Sequence, residues 1–133
     1  MPRTPRAQNG SARVSFDTVR TFGATLPGVY ESTSYGTAAL KVGRTLFARL
    51  KEDGRTLVLK MDMVSRDFLI QAQPDVFFIT DHYRNYTWIL IRLDRIERRQ
   101  LLELVEDAWR RAASRRLIQM HEAGLDGRPR ADK

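Results

Sequence analysis

Residues 29–61 read VYESTSYGTAALKVGRTLFARLKEDGRTLVLKM, and apolar and polar side chains alternate along four short segments of this stretch. Alternation with a period of two is typical of β-strands. The predicted strands are Val29–Tyr35, Ala38–Val42, Thr45–Leu50 and Thr56–Met61. Gly36, Gly43 and Gly54 mark the turns between them. Because a parallel crossover needs a dozen or more residues, connections this short predict an antiparallel meander.

The segments around this meander complete an α+β pattern. The other predicted elements are a first helix that Ser15 caps and Pro27-Gly28 ends, a helix over Met63–Ala72, strands over Val76–Thr80 and Thr87–Leu93, and a long helix from Asp94 through Leu117. The long helix carries apolar residues three and four apart, so it can bury one face of a sheet. We therefore predict a two-layer α+β domain, with a mainly antiparallel sheet of about five to six strands and helices packed on one face.

The composition excludes several kinds of site. The chain has 133 residues, 42% hydrophobic and 29% charged, which is typical of one globular domain. It has no cysteine, so disulfides, thiolate metal sites and cysteine nucleophiles are excluded. No apolar run is long enough to span a bilayer, and the basic N-terminus has no hydrophobic stretch behind it. We expect a cytoplasmic protein with no membrane contact and no cofactor, and we favour a monomer.

The positive charge is spread over the predicted domain and its tails. We predict a disordered basic tail at residues 1–12, one domain at 13–117 and a mostly disordered tail at 118–133. The net charge is +7, of which residues 1–12 carry +2 and residues 114–133 carry +2. Such a balance is typical of nucleic-acid-binding proteins, because cations that neutralise phosphates release counterions. Alternatively, the arginine content follows genome base composition and keeps a small protein soluble.

The sheet face away from the helices collects basic and aromatic side chains. If successive residues alternate between faces, Leu46, Ala48 and Leu50 lie on the core side. The opposite side then holds Lys41, Phe47, Arg49, Lys60, Trp88 and Arg92. Cations interleaved with aromatic rings can neutralise phosphates and stack on bases. Alternatively, long basic side chains solvate this face and cover the rings with their aliphatic stems.

The sequence gives little indication of catalysis. It contains no phosphate-binding loop, dinucleotide-binding glycine motif, hydrolase elbow or HExxH motif. Asp81 and His82 could form an acid–base pair, but a single histidine in a hairpin loop is more often a surface hydrogen-bonding residue. His121 receives no role. We therefore expect a protein that is not an enzyme.

Several blocks of sequence resemble the MmcQ/YjbR family of small bacterial proteins. They are Leu26-Pro27-Gly28-Val29, Tyr35-Gly36, Leu57-Val58-Leu59-Lys60, Gln73-Pro74-Asp75-Val76, Asp81-His82-Tyr83, Trp88-Ile89-Leu90-Ile91-Arg92-Leu93 and Ala108-Trp109. The resemblance runs from about Val19 to Ala113 and implies a CyaY-like α+β fold. Proteins of that family are labelled DNA-binding and have no recognised catalytic set. The positions that the resemblance singles out are Lys60, His82, Tyr83, Trp88 and Arg92.

Together these observations predict a DNA-binding module that contacts the nucleic-acid backbone through the sheet face and the loop of residues 81–86, called the 81–86 loop below. The candidate nucleic-acid-binding residues are Lys41, Arg49, Lys60, His82, Tyr83, Arg84, Trp88 and Arg92. One alternative is a protein–protein interaction adaptor that uses the same face or an exposed sheet edge. The other is a small-ligand or weakly catalytic site under the 81–86 loop.

Overall fold

The computed structural model describes residues 14–124, which form four α-helices and six β-strands. In chain order the elements are α1 (Phe16–Gly23), β1 (Val29–Ser34), β2 (Thr37–Val42), β3 (Thr45–Leu50), β4 (Thr56–Lys60), α2 (Met63–Ala72), β5 (Phe77–Phe78), a 3₁₀ turn (Asp81–Tyr83), β6 (Trp88–Arg92), α3 (Arg98–Ala112) and α4 (Arg115–Glu122). Ser15 caps α1 as predicted, accepting a hydrogen bond from the backbone N–H of Asp17. The element order confirms the predicted α+β class.

The six strands form one antiparallel sheet in the order β1-β2-β3-β4-β6-β5. The meander of β1 to β4 is therefore confirmed. β5 is shorter than predicted and lies at the edge, whereas β6 is inserted between β4 and β5. In the described part of the chain, no helix is long and apolar enough to cross a membrane.

The core lies between the sheet and α3. This helix lies against β3 and β4, and α1 packs on α3. Leu101, Val105, Ala108 and Trp109 of α3 are fully buried. The indole N–H of Trp109 donates to the carbonyl oxygen of Pro27 at 3.0 Å, which joins α3 to the connection between α1 and β1. A buried polar ring atom is thereby satisfied where the sheet and helices meet.

Phe47 lies in the core, so its prediction as a residue of the opposite face is wrong. In the pairing of β2 with β3, Leu40 is opposite Ala48 and Lys41 is opposite Leu46, which leaves Phe47 as an extra residue. This β-bulge resets the alternation, because two successive residues of β3 face one residue of β2. Phe47 and Ala48 both join the core, and Leu46 instead lies on the opposite face.

The C-terminal helical segment also differs from the prediction. The long helix ends at Ala112, because Ala113 is extended, and the Ser114 side chain caps a separate helix by accepting from the N–H of Leu117. α4 continues to Glu122, five residues past the predicted end of the domain at 117. Ile118 of α4 packs against the core. Residues 118–122 are thus helical instead of tail, and residues 1–12 and 125–133 lie outside the described residues.

Because of the bulge, substitutions at the adjacent residues Leu46 and Phe47 should change the free energy of unfolding by different amounts. We expect Phe47→Ala to lower the free energy of unfolding by about 3–5 kcal/mol, the usual cost of a cavity at a buried phenylalanine. Leu46→Ala should cost about 1 kcal/mol or less, because that side chain is only half-buried. Urea denaturation followed by tryptophan fluorescence measures both values. If Leu46→Ala lowered the free energy of unfolding more than Phe47→Ala, the bulge would be contradicted and unbroken alternation along β3 would be supported.

Candidate functional site

The face of the sheet turned away from α3 is called the open face below, and its centre is covered. The rows across β2, β3, β4 and β6 bring together Ala39, Arg49, Val58 and Leu90. All four are buried. The centre of the face on which the sequence predicted basic and aromatic side chains is therefore buried. The cover comes partly from the 81–86 loop, whose Tyr83 hydroxyl accepts a hydrogen bond from Arg49 Nη1 at 3.2 Å.

The 81–86 loop is held in place by a buried arginine of α2. Arg66 Nη1 donates to the backbone carbonyl oxygens of Arg84 at 3.2 Å and Tyr86 at 3.0 Å. Its Nε contacts the Asp67 carboxylate at 3.0 Å, which balances the charge. A buried cation without such partners would be costly, so these bonds fix the loop backbone relative to α2. The position of the loop side chains over the open face follows from this anchor.

The loop and the sheet enclose a cleft of about 180 Å³, called the aromatic cleft below. Its lining residues are Tyr35, Leu46, Arg49, Val58, His82, Tyr83, Tyr86 and Trp88. Most of these side chains are rings. Tyr35 is 78% exposed and Tyr86 is 61% exposed, so flat ring faces are accessible to a ligand. The His82 and Tyr83 rings meet edge to face, with their centroids 4.7 Å apart.

Arg49 forms the buried floor of the aromatic cleft. It is only 4% exposed, and its Nη2 contacts Glu52 Oε2 at 2.8 Å while its Nε donates to the carbonyl oxygen of Ser34 at 3.4 Å. Its guanidinium also lies 5.0 Å from the centre of the Tyr35 ring. A hydrogen bond from the backbone N–H of Glu52 to its own carboxylate, and then the charges of Arg49 and Lys51, lower the pKa of Glu52. Arg49 thus positions the walls of the cleft, and it is not the exposed cation that the sequence predicted.

Two lysines flank the aromatic cleft. Lys60 is paired with Trp88 across β4 and β6, and its Nζ lies 5.1 Å from the centre of the indole ring. Lys41 lies beside Leu46 across β2 and β3. Within residues 14–124, neither lysine takes part in an ion pair. Both ammonium groups are thus available at the margins of the cleft.

The remaining predicted cations lie elsewhere. Arg84 is exposed and forms an ion pair with Asp81 at 2.6 Å, outside the lining of the aromatic cleft. Arg92 lines a second cleft of about 300 Å³ at the far end of β6. Its guanidinium lies over the Phe78 ring, 4.2 Å from the ring centre, and its Nη1 donates to the carbonyl oxygen of Pro74 at 3.3 Å. Seven of the eight predicted site residues thus lie in or beside two clefts, and Arg84 lines neither of them.

Tyr35 lines the aromatic cleft, although the sequence pattern predicted it as the last residue of the strand Val29–Tyr35. It occupies a two-residue turn with Gly36, closed by the pair Ser34 and Thr37, and its φ is +54°. Turns of this length favour Asn-Gly, because both central residues need positive φ. A bulky ring at such a position is unusual. In the sequence, the Tyr-Gly pair between two alternating segments is the signal that identifies this turn.

Comparisons with known proteins agree with this fold. The YjbR family model matches residues 24–111. Uncharacterized proteins of Mycobacterium bovis and Mycobacterium tuberculosis are 43% identical over 51 residues, which is 38% of this chain and 40% of their length. A crystal structure of a Deinococcus radiodurans protein of the DUF419 family is similar with a TM-score of 0.66 and 21% identity, covering 90% of this chain and 94% of that one. Because the family model spans more than half of the residues, this chain belongs to the YjbR family.

Proposed function

We propose that this protein is a non-catalytic nucleic-acid-binding module that takes an unstacked base into the aromatic cleft. The carrying observation is the group of rings around one cleft, with two lysines at its margins that form no ion pair within residues 14–124. Stacking of a base on an aromatic side chain contributes about 1–3 kcal/mol and tolerates any base, since every base has a flat face. Lys60 and Lys41 would neutralise the backbone phosphates next to the bound base. The resemblance to proteins labelled DNA-binding supports DNA as the ligand.

The aromatic cleft favours single strands over duplex. Within a duplex the faces of the bases are stacked on one another, and only their edges are accessible in the grooves. A ring in the cleft could reach a base face only after unstacking, which costs a few kcal/mol in duplex DNA and much less in a single strand. A sheet surface with exposed rings and flanking cations is a common design for single-stranded nucleic acids.

The surroundings of His82 support binding over catalysis. An acid–base pair would need the Asp81 carboxylate at the histidine ring. Asp81 instead pairs with Arg84, and His82 meets the edge of the Tyr83 ring. These contacts suit a wall of the cleft better than proton transfer.

The first test is the preference for strand state. We expect a fluorescein-labelled single-stranded 12-mer to bind at least tenfold more tightly than the matching duplex, because only the single strand offers free base faces. Fluorescence anisotropy at two salt concentrations measures both affinities. Equal or tighter duplex binding would contradict the proposal. A mononucleotide that bound as tightly as the 12-mer would also contradict it, and would favour the small-ligand alternative.

The second test separates stacking from charge. Trp88→Ala should weaken single-strand binding about 5- to 150-fold, the equivalent of one lost stacking contact of about 1–3 kcal/mol, while Trp88→Phe should retain most of the affinity. Lys60→Gln should weaken binding and lower the slope of log affinity against log salt by about one. The matched control is Arg99→Gln, because Arg99 is exposed on α3, away from the open face. Binding that responds to Arg99→Gln as strongly as to Lys60→Gln would indicate nonspecific attraction only.

The third test uses the strained tyrosine. Tyr35→Asn places a residue that tolerates positive φ at the turn, so we expect the free energy of unfolding to stay unchanged or to rise. The same variant removes an exposed ring of the aromatic cleft and should weaken single-strand binding at least fivefold. Tyr35→Phe keeps the ring and should bind like the original protein. The role of Tyr35 as a ligand platform would be refuted by full affinity in the asparagine variant.

A further inference from the structure

A second cleft lies on the same side of the sheet, where β4 begins and β6 ends. Its volume is about 300 Å³, and we call it the arginine cleft. Its lining residues are Asp53, Arg55, Thr56, Phe78, Arg92, Asp94 and Arg95. Three arginine residues therefore line one depression. Arg55 and Arg95 were not among the site residues predicted from the sequence.

The carboxylate of Asp53 is already occupied by its own turn. It accepts hydrogen bonds from the backbone N–H of Arg55 at 2.8 Å, the backbone N–H of Thr56 at 2.9 Å and the hydroxyl of Thr56 at 2.7 Å. Burial alone would raise the pKa of Asp53, but these hydrogen bonds outweigh burial and lower the pKa. The charge of Arg55 lowers the pKa of Asp53 further, so Asp53 is an ionised residue whose oxygens are hydrogen-bonded within its own turn. Asp94 is an exposed carboxylate of the lining.

The guanidinium groups of the arginine cleft have N–H donors that are available to a ligand. Arg92 lies flat on Phe78 and gives one hydrogen bond to Pro74, which fixes its plane. In the described part of the chain, the side chains of Arg55 and Arg95 form no ion pair. Arginine forks match the oxygens of a phosphate group geometrically. Three guanidinium groups and two carboxylates leave the lining with one net positive charge, which the single negative charge of a phosphodiester would balance.

We propose that the arginine cleft binds a backbone phosphate of the strand whose base occupies the aromatic cleft. This inference rests on the proposed function, because it places both groups on one ligand. Arg92 and Trp88 lie on the same face of β6, four residues apart, which corresponds to roughly 13 Å at about 3.3 Å per residue. A single strand that follows β6 would cover this distance within a few nucleotides. A free phosphate ion or phosphomonoester offers similar chemistry, and the experiment distinguishes these sources.

The test combines a double variant with ligands of increasing length. Arg55→Gln together with Arg95→Gln should weaken binding of a 12-mer about tenfold and lower the salt slope by about one, because the contacts to one backbone phosphate are lost. A dinucleotide should bind equally to the original protein and the variant, because it is too short to reach from one cleft to the other. Arg98→Gln together with Arg99→Gln is the matched control, with the same charge change on exposed α3 positions. Urea denaturation should show unchanged stability in both double variants.

The outcomes separate the two proposals. If Trp88→Ala weakens 12-mer binding but the cleft double variant does not, the phosphate site is overturned and the proposed function stands. A dinucleotide as sensitive to the double variant as the 12-mer also overturns the proposed path. If oligonucleotides do not bind at all, inorganic phosphate is titrated while the arginine side-chain NMR signals are followed. Millimolar phosphate binding that the double variant abolishes would then assign a free-phosphate site, overturning the backbone assignment together with the proposed function.

Discussion

The geometry of the candidate site depends on the burial of Arg49. Its guanidinium joins the first hairpin through Ser34, the turn after β3 through Glu52 and the 81–86 loop through Tyr83. A buried cation that loses its partners costs several kcal/mol, so these three segments are held together around it. The aromatic cleft exists because this one charge must be satisfied on the open face. Arg66 is a second buried arginine that holds the 81–86 loop, through hydrogen bonds to the carbonyl oxygens of Arg84 and Tyr86.

Much of the fold could be predicted from the sequence, because alternation is unbroken in β4 and β6. Lys60, Trp88 and Arg92 lie on the face that parity assigned to them, and Lys60 pairs directly with Trp88. The alternation predicted the wrong face for Phe47, because a β-bulge adds one residue to β3 at this point. No glycine or other local sequence signal marks the bulge. The burial of Arg49 and Arg66 was also unpredictable. The Ser34, Tyr83, Arg84 and Tyr86 oxygens that accept from them lie 15 to 34 residues away, and pairing at that range depends on tertiary structure.

The 81–86 loop changes the chemistry that the sequence indicated. A bare sheet face would present its cations and rings as one mixed surface. With the loop in place, the rings line a cleft whose one charged lining residue is buried and paired, and Lys41 and Lys60 lie at the margins. Charges at a margin stay hydrated until a ligand arrives, so they carry little desolvation cost in the free protein. Stacking in the cleft and charge at its margins are thus separate contributions to any binding energy.

The same separation extends along the sheet to the arginine cleft. A planar ring and a phosphate make different demands, since stacking needs accessible apolar faces and phosphate binding needs donors with few competing carboxylates. Asp53 meets the second demand by turning its oxygens toward backbone N–H groups of its own turn. β6 carries a residue for each role on the same face, because residues two apart along a strand share a face. Trp88 and Arg92 are therefore fixed on one rigid strand. Their spacing is set by the sheet itself, so a ligand that used both clefts would be selected for length as well as for charge.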